Sequence, residues 1–298
     1  EELARFAGIR VFDFNPSYLN ISRASPCWGG LLPGKHVSEA DVGMLVDVDV
    51  PWIPRDTREN PQSWWAHVDV DVVKERFPIW GFPSNLRLPG DSAVVLGQLL
   101  DALKSRATPA FREAAARRLE AMTREYAERR AHFAKLAENH GAKNAVNQHY
   151  VCAELGKALG ENDILVNESI RNSGVVYNQV LRTRPGTSLG SAGGGLGFSA
   201  GTALGARLAR PDAIVAQVCG DGSFYFGNPS STYAVAHQYQ LPIFTVVLDN
   251  AGRPAVKEST LPMEPGGEAT PTGEMPARLR RVDAVPDQEG HDLEHHAD

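Results

Sequence analysis

The stretch IVAQVCGDGSFYFGNPSSTYAVAHQYQLPIFTVVLDN, residues 214–250, decides the fold. It opens on an apolar run, Ile214–Cys219, and closes on another, Ile243–Leu248, with a helical segment, Ser230–Tyr239, between them. Two apolar strands joined through one helix read as a β-α-β unit with a right-handed crossover, so the strands are parallel and covered on both faces. Gly220-Asp221-Gly222-Ser223 falls just past the carboxyl end of the first strand, and Asn250 just past that of the second. Both side chains then emerge at the edge where open α/β sheets bind ligands. A carboxylate, an amide oxygen and a backbone carbonyl are hard donors, and with two phosphate oxygens and a water they complete the octahedron that Mg2+ prefers. Gly220 and Gly222 leave room for a phosphate to approach the turn.

The same rhythm extends backwards. Tyr150–Leu159 reads as a helix, Ile164–Asn167 as a strand and Phe198–Ala209 as a helix rich in Ala and Gly. The expectation is an α/β domain over 144–262, a parallel sheet flanked by helices. Before it, Thr108-Pro109 opens a helix with Thr as N-cap and Pro at the first helical position, and Gly141 stops it beyond Asn139. Leu119, Met122, Tyr126, Phe133 and Leu136 follow 3/4 spacing, with Arg129 interrupting an apolar position, which docks one face of that helix on a neighbour. Residues 105–143 are expected as a helical linker. In 1–104, Ile9–Phe14 is strand-like, Met44–Val50 and Trp65–Val70 read as buried strands and Pro51–Ser63 as a loop, the expected remnant of a second α/β domain. After Leu261, Pro, Gly, Glu and Asp prevail, and 263–298 is expected as a polar, disordered tail.

The bulk numbers exclude other classes. A formal net charge of −6 argues against a nucleic-acid surface. No apolar run approaches the roughly 20 residues that span a bilayer. Cys27, Cys152 and Cys219 form no CxxC pair and suit a reducing, cytoplasmic setting as small core residues. The chain opens at Glu1 without Met, and is expected to be a piece of a longer or processed protein.

The run from Gly220 to Asn250 resembles the thiamine-diphosphate (ThDP) binding motif, GDG followed at about this distance by NN. The similarity is to the pyruvate-decarboxylase-like branch, that of benzoylformate decarboxylase and the acetolactate synthase large subunit. Asn167-Glu168-Ser169 after a strand and Gly193-Gly194-Gly195-Leu196-Gly197-Phe198 are similar to two further segments of that branch. The resemblance implies Asp221, Asn250 and the carbonyl of Gly252 as Mg2+ ligands, and Gly220, Gly222, Ser223 and Ser169 around the diphosphate. Gly194 would accept a hydrogen bond from the cofactor's 4′-amino group, and Leu196 would be the wedge that bends its two rings together. Such a cofactor deprotonates its own C2 and acts as electron sink for a small 2-oxo acid, in decarboxylation or carboligation. Asp249 stands in place of the first Asn of the NN pair, and Ile170-Arg171 replace small hydroxyl residues. Residues 1–104 resemble the later part of the family's central domain, which carries FAD in some synthases. No segment resembles the pyrimidine-binding domain, whose Glu activates the cofactor. The implied partner is therefore that domain, in a homo- or hetero-oligomer.

Other readings compete. A GDG alone is a common turn between strand and helix. Gly195, Gly197 and Ala200 spell GxGxxA before a helix, with Asp212 or Asp221 downstream, as in nicotinamide-dependent dehydrogenases. A non-catalytic cofactor-binding fragment is a third. Among the histidines, His237 reads as a surface or packing residue, His149 begins a helix within reach of the site, and His291, His295 and His296 lie in the acidic tail.

Overall fold

The computed structural model describes residues 1–77, 80–143, 145–191 and 195–249. Residues 1–248 form one compact unit. Asn250 and Gly252, expected as metal ligands, and Gly194 lie outside the described residues, as do the tail and its histidines.

The chain begins with α1 (Glu2–Ala7), followed by a short parallel pair, β1 (Val11–Phe12) and β2 (Trp28–Gly30). A three-stranded parallel sheet comes next, in order β3 (Val42–Val46), β4 (Trp64–Asp69), β5 (Leu86–Pro89). Two of these are the expected strands with shifted ends, because Asp47 turns into the left-handed region at φ 46° and stops β3. The third, β5, is only LRLP, too short for a period to show. Helix α2 (Ser92–Arg106) starts at Asp91, whose side chain accepts from the Val94 N–H. Helix α3 (Pro109–Ala137) has the expected Thr108 cap, accepting from the Phe111 N–H, with Pro109 in its first turn.

The second sheet is built from β6 (Ile164–Glu168), β7 (Ser188–Leu189), β8 (Val215–Gly220) and β9 (Phe244–Leu248), all parallel, in the order β9-β8-β6-β7. Its helices are α4 (Gln148–Ala158), α5 (Ser173–Gln179) and α6 (Phe198–Ala209), with α7 (Asp221–Phe226) and α8 (Pro229–Gln238) between β8 and β9. Two helices therefore join these strands where the sequence implied one. Pro229 starts a new helix after the break at Gly227-Asn228, with Asn228 at φ 47°. Strands β6 and β8 are buried along nearly their whole length, as helices on both faces require, whereas β9 at the sheet edge is partly exposed. No helix among the described residues is long and apolar enough to cross a membrane.

One core joins the N-terminal segment to this sheet, with Ile21, Cys27 and Trp28 packed with Met122, Leu155, Leu165, Val176 and Val218. The α3 arginines fasten the segment from outside. Arg118 donates to the carbonyls of Ala7 and Gly8, and Arg129, the apparent break in the apolar stripe, donates to the Trp28 carbonyl at 2.6 Å. At the centre Arg23 is wholly buried, its guanidinium 3.9 Å from the centre of the Tyr177 ring and 3.5 Å from the Asp13 carboxylate. Burial pushes the Asp13 carboxyl up and Arg23 down, with each charge opposing the other's shift. Removing one partner leaves the other buried and uncompensated. Asp13→Ala should therefore cost about 3–5 kcal/mol, a fall in melting temperature of roughly 10 °C by calorimetry. Asp13→Ala with Arg23→Met should recover part of it. A single variant that melts like the parent would show that the pair is not needed.

Candidate functional site

The carboxyl ends of β6 and β8 meet at one edge of the second sheet, and among the described residues Ser169, Gly220, Asp221, Gly222 and Ser223 stand at or just past those ends. Asp221 is the first residue of α7, directly after the last residue of β8, and is partly exposed. Gly220 has an ordinary extended backbone, φ −79° and ψ 162°, so no left-handed turn demands glycine. A Cβ at Gly220 or Gly222 would meet no atom of the described residues within 4 Å. Neither backbone nor packing explains these two glycines, whereas a ligand lying close against the turn does. No side chain caps α7, so its first N–H groups are left to face that space. An open edge, a carboxylate and unshielded backbone fit a diphosphate with a hard cation.

Ser169 and Ser223 are both buried, and their hydroxyl protons are engaged within the protein. Ser169 donates to Asn167 Oδ1 at 2.6 Å, closing a tight turn after β6, and Ser223 donates to the Glu168 carbonyl at 3.1 Å. The Ser169 N–H donates to the same Asn167 oxygen at 3.1 Å, so a contact from Ser169 to a ligand is left to its hydroxyl lone pairs. Leu196 is 42% exposed and borders a cleft of about 750 Å3, with Ile170, Tyr177, Phe14, Asn15 and Leu31 on its walls.

Sequence reasoning missed what brings these pieces together. Glu168 is buried, and its two carboxylate oxygens accept from the backbone N–H groups of Gly197 and Ser199 at the start of α6. A carboxylate on the uncapped N–H groups of a helix is favoured by both hydrogen bonding and the helix dipole. It ties the Leu196 loop to the end of β6. Gly197 is required there, at φ 92° and with a notional Cβ 2.7 Å from the Phe226 carbonyl carbon. Behind it a buried chain runs from Thr245 to Gln217 at 3.1 Å and from Gln217 to Ser199 at 2.8 Å, crossing from β9 through β8 to α6. An acid at a strand end carries no local mark of the helix it will cap 29 residues later, since nothing periodic links Glu168 to Gly197 (197 minus 168). Beneath the edge, burial pushes the Cys219 thiol up to about 12, with Glu168 and Asp221 adding to the push, so it stays a protonated packing group.

The same geometry disposes of the dinucleotide reading. A pyrophosphate at a GxGxxA turn needs the helix N–H groups, and Glu168 holds two of them. Asp212 is exposed and pairs with Arg210 at 3.1 Å rather than standing at a strand end. His237 is exposed on α8. His149 packs against Phe133 and near Gln179, and is not among the residues lining the cleft. Burial, with help from His132, lowers its pKa.

Residues 172–294 match the family model of the thiamine pyrophosphate enzyme C-terminal TPP binding domain. Over 94 residues the chain is 36% identical to benzoylformate decarboxylase of Pseudomonas aeruginosa, covering 31% of this chain and 17% of that protein. Over 277 residues it is 25% identical to the acetolactate synthase large subunit of Cyanidium caldarium, covering 87% of this chain and 44% of that one. The chain thus spans less than half the length of these relatives. Its fold is that of the thiamine diphosphate-dependent 4-hydroxybenzoylformate decarboxylase of Rhodococcus jostii RHA1, with a TM-score of 0.68 and 20% identity over 95% of this chain and 50% of that one. With the turn at Asp221 inside the matched region, residues 172–294 are similar to a C-terminal TPP binding domain, and the chain resembles thiamine-diphosphate enzymes such as benzoylformate decarboxylase and acetolactate synthase.

Proposed function

We propose that this chain is the ThDP- and Mg2+-binding portion of a 2-oxo acid decarboxylase or carboligase. The observation that carries the reading is the Asp221 turn, a carboxylate at the carboxyl edge of a parallel sheet beside two glycines whose presence no contact with the described residues explains. Asp221 would hold the cation, joined by Asn250 and the Gly252 carbonyl. The N–H groups near Gly222 and Ser223, with the turn at Ser169, would hold the diphosphate. Glu168 is a positioning residue that ties the Leu196 loop to the end of β6, where Leu196 would support the cofactor and Gly194 would accept from its amino group. When bound, the cofactor supplies the electron sink for breaking or forming a carbon–carbon bond next to a carbonyl. The residues named here bind and orient it, and activation is left to a pyrimidine-binding domain from another part of the assembly.

Asp221→Ala should abolish Mg2+-dependent ThDP binding in calorimetric titration, because the diphosphate charges lose their bridging cation. Asn250→Ala should weaken it less. Unchanged affinity in the Asp221 variant would refute the site. Leu196→Ala should leave ThDP affinity within about twofold while lowering turnover per bound cofactor at least tenfold, since it shapes rather than charges the site. The chain alone, with saturating ThDP and Mg2+, should leave pyruvate and benzoylformate unconsumed, and a pyrimidine-binding domain added as a separate chain should start turnover. Rapid consumption by the chain alone would place an activating carboxylate within residues 1–298.

A further inference from the structure

Away from that edge, the three-stranded sheet holds a buried imidazole that nothing above uses. His67, on β4, is 0% exposed, and among the described residues neither ring nitrogen has a hydrogen-bond partner. Native proteins rarely leave buried polar atoms unpaired, since the desolvation is then uncompensated. The ring is stacked on Trp80, centroids 4.8 Å apart and 17° from parallel. Its Nε2 lies 3.7 Å from Asp69 Oδ2, two residues along the same strand.

Asp69 Oδ2 is already engaged. Lys74 Nζ donates to it at 2.7 Å and to Asp49 Oδ1 at 2.8 Å, with the Lys74 side chain only 5% exposed. The turn between them is wound tight, the Asp71 N–H donating to Asp69 Oδ1 and the Lys74 N–H to Asp71 Oδ1. Lys74 sits at φ 58°, a conformation that a long side chain adopts only when its surroundings hold it there. Trp80 is fixed from the other side by donating its indole N–H to the Asp49 carbonyl at 2.7 Å. On β5, Arg87 stands in register with His67, its guanidinium 5.7 Å from the Trp80 ring. The charged groups facing the imidazole are thus Asp69, Lys74 and Arg87, with Asp49 beyond Lys74.

We propose that His67 is a proton latch on this sheet: a proton taken up by its ring draws Asp69 away from Lys74 and releases the turn over residues 70–77. Protonation gives the ring a second N–H and a positive charge, so Nε2–H competes for the same Asp69 oxygen that Lys74 holds. Two cations then compete for one buried carboxylate, with Arg87 adding to the positive charge around the ring, and Lys74 has the exposed Asp49 and solvent as its way out. Once Lys74 leaves Asp69, its left-handed backbone loses its side-chain anchor and keeps the Asp71 contact and the Phe77 N–H on its carbonyl. One proton moves from solvent to the ring, and only hydrogen bonds rearrange.

The direction follows from linkage. In the closed arrangement burial holds the His67 pKa below its ordinary value, with Lys74 and Arg87 adding to this and Asp69 opposing it. In the open arrangement it returns to about 6.5. Protons therefore bind the open state more tightly. The closed state is fully favoured above about pH 6.5 and loses ground as pH falls below it.

The test uses the full chain and a lysine-specific protease, following cleavage after Lys74 by mass spectrometry relative to cleavage after the exposed Lys143. From pH 7.5 to 5.5 the normalised rate at Lys74 should rise by up to about tenfold, the largest factor one depressed histidine can supply over that range. In His67→Phe, which keeps an aromatic ring against Trp80, it should stay level. No rise in the parent, or the same rise in His67→Phe, overturns the proposal. Should His67→Phe lack a cooperative melt, His67→Gln takes its place. The His67 ring is also followed by NMR in the folded parent, where titration at or above 6.5 overturns the latch outright.

Discussion

The grip of Glu168 on the first N–H groups of α6 is the contact on which the candidate site depends. A parallel sheet delivers its loops to one edge, yet it does not fix their heights, and a site needs groups placed to within about half an ångström. Here one carboxylate sets the loop after β7 against the end of β6, and the backbone carbonyl of the same residue takes the Ser223 hydroxyl from α7. Three segments distant in sequence thereby share a single residue. The charge is tolerable in a buried position because both of its oxygens are hydrogen-bonded and face the positive end of a helix.

How much of this could be read from sequence depends on whether the cause is local. Helix α6 falls on the expected residues, and the Thr108 cap and Pro109 behave as their chemistry requires. Strands β6, β8 and β9 were legible as apolar runs, whereas β7, only Ser188–Leu189, is too short to show one. What escaped was short or decided at a distance. Strand β5 has four residues, the break at Gly227-Asn228 hides inside a helix-forming stretch, and Arg129 looks like a fault in an apolar stripe until the carbonyl of Trp28 is placed beside it. At the site, Asp221 and its glycines were legible because their motif is contiguous. Ser169 and Ser223 were legible as neighbours of the ligand, while the partners that engage their hydroxyls were not.

The two parallel sheets handle charge differently. At the edge of the second, Asp221 stays partly open beside glycines with no atom of the described residues near them, an arrangement for receiving something. At the edge of the first, Asp69 is nearly closed off and already holds Lys74, an arrangement that is complete in itself. Both follow from strands ending in step, which concentrates polar groups at carboxyl edges. Whether such an edge receives a ligand or clamps its own chain is decided by one neighbouring residue, glycine in one case and lysine in the other.

The burial of Trp28 and Arg23 has a consequence for the order in which the chain is made. Their partners Tyr177, Leu165 and Val218 are synthesised well over a hundred residues later. At about 5–20 residues per second on the ribosome, the N-terminal segment waits on the order of ten seconds or more before its surroundings exist. During that interval an indole, an unpaired guanidinium and the apolar face of α1 are all open to solvent. The segment around Arg23 and Trp28 is thus made before the residues that secure it, and until they follow it stays open to chaperones and to misassociation.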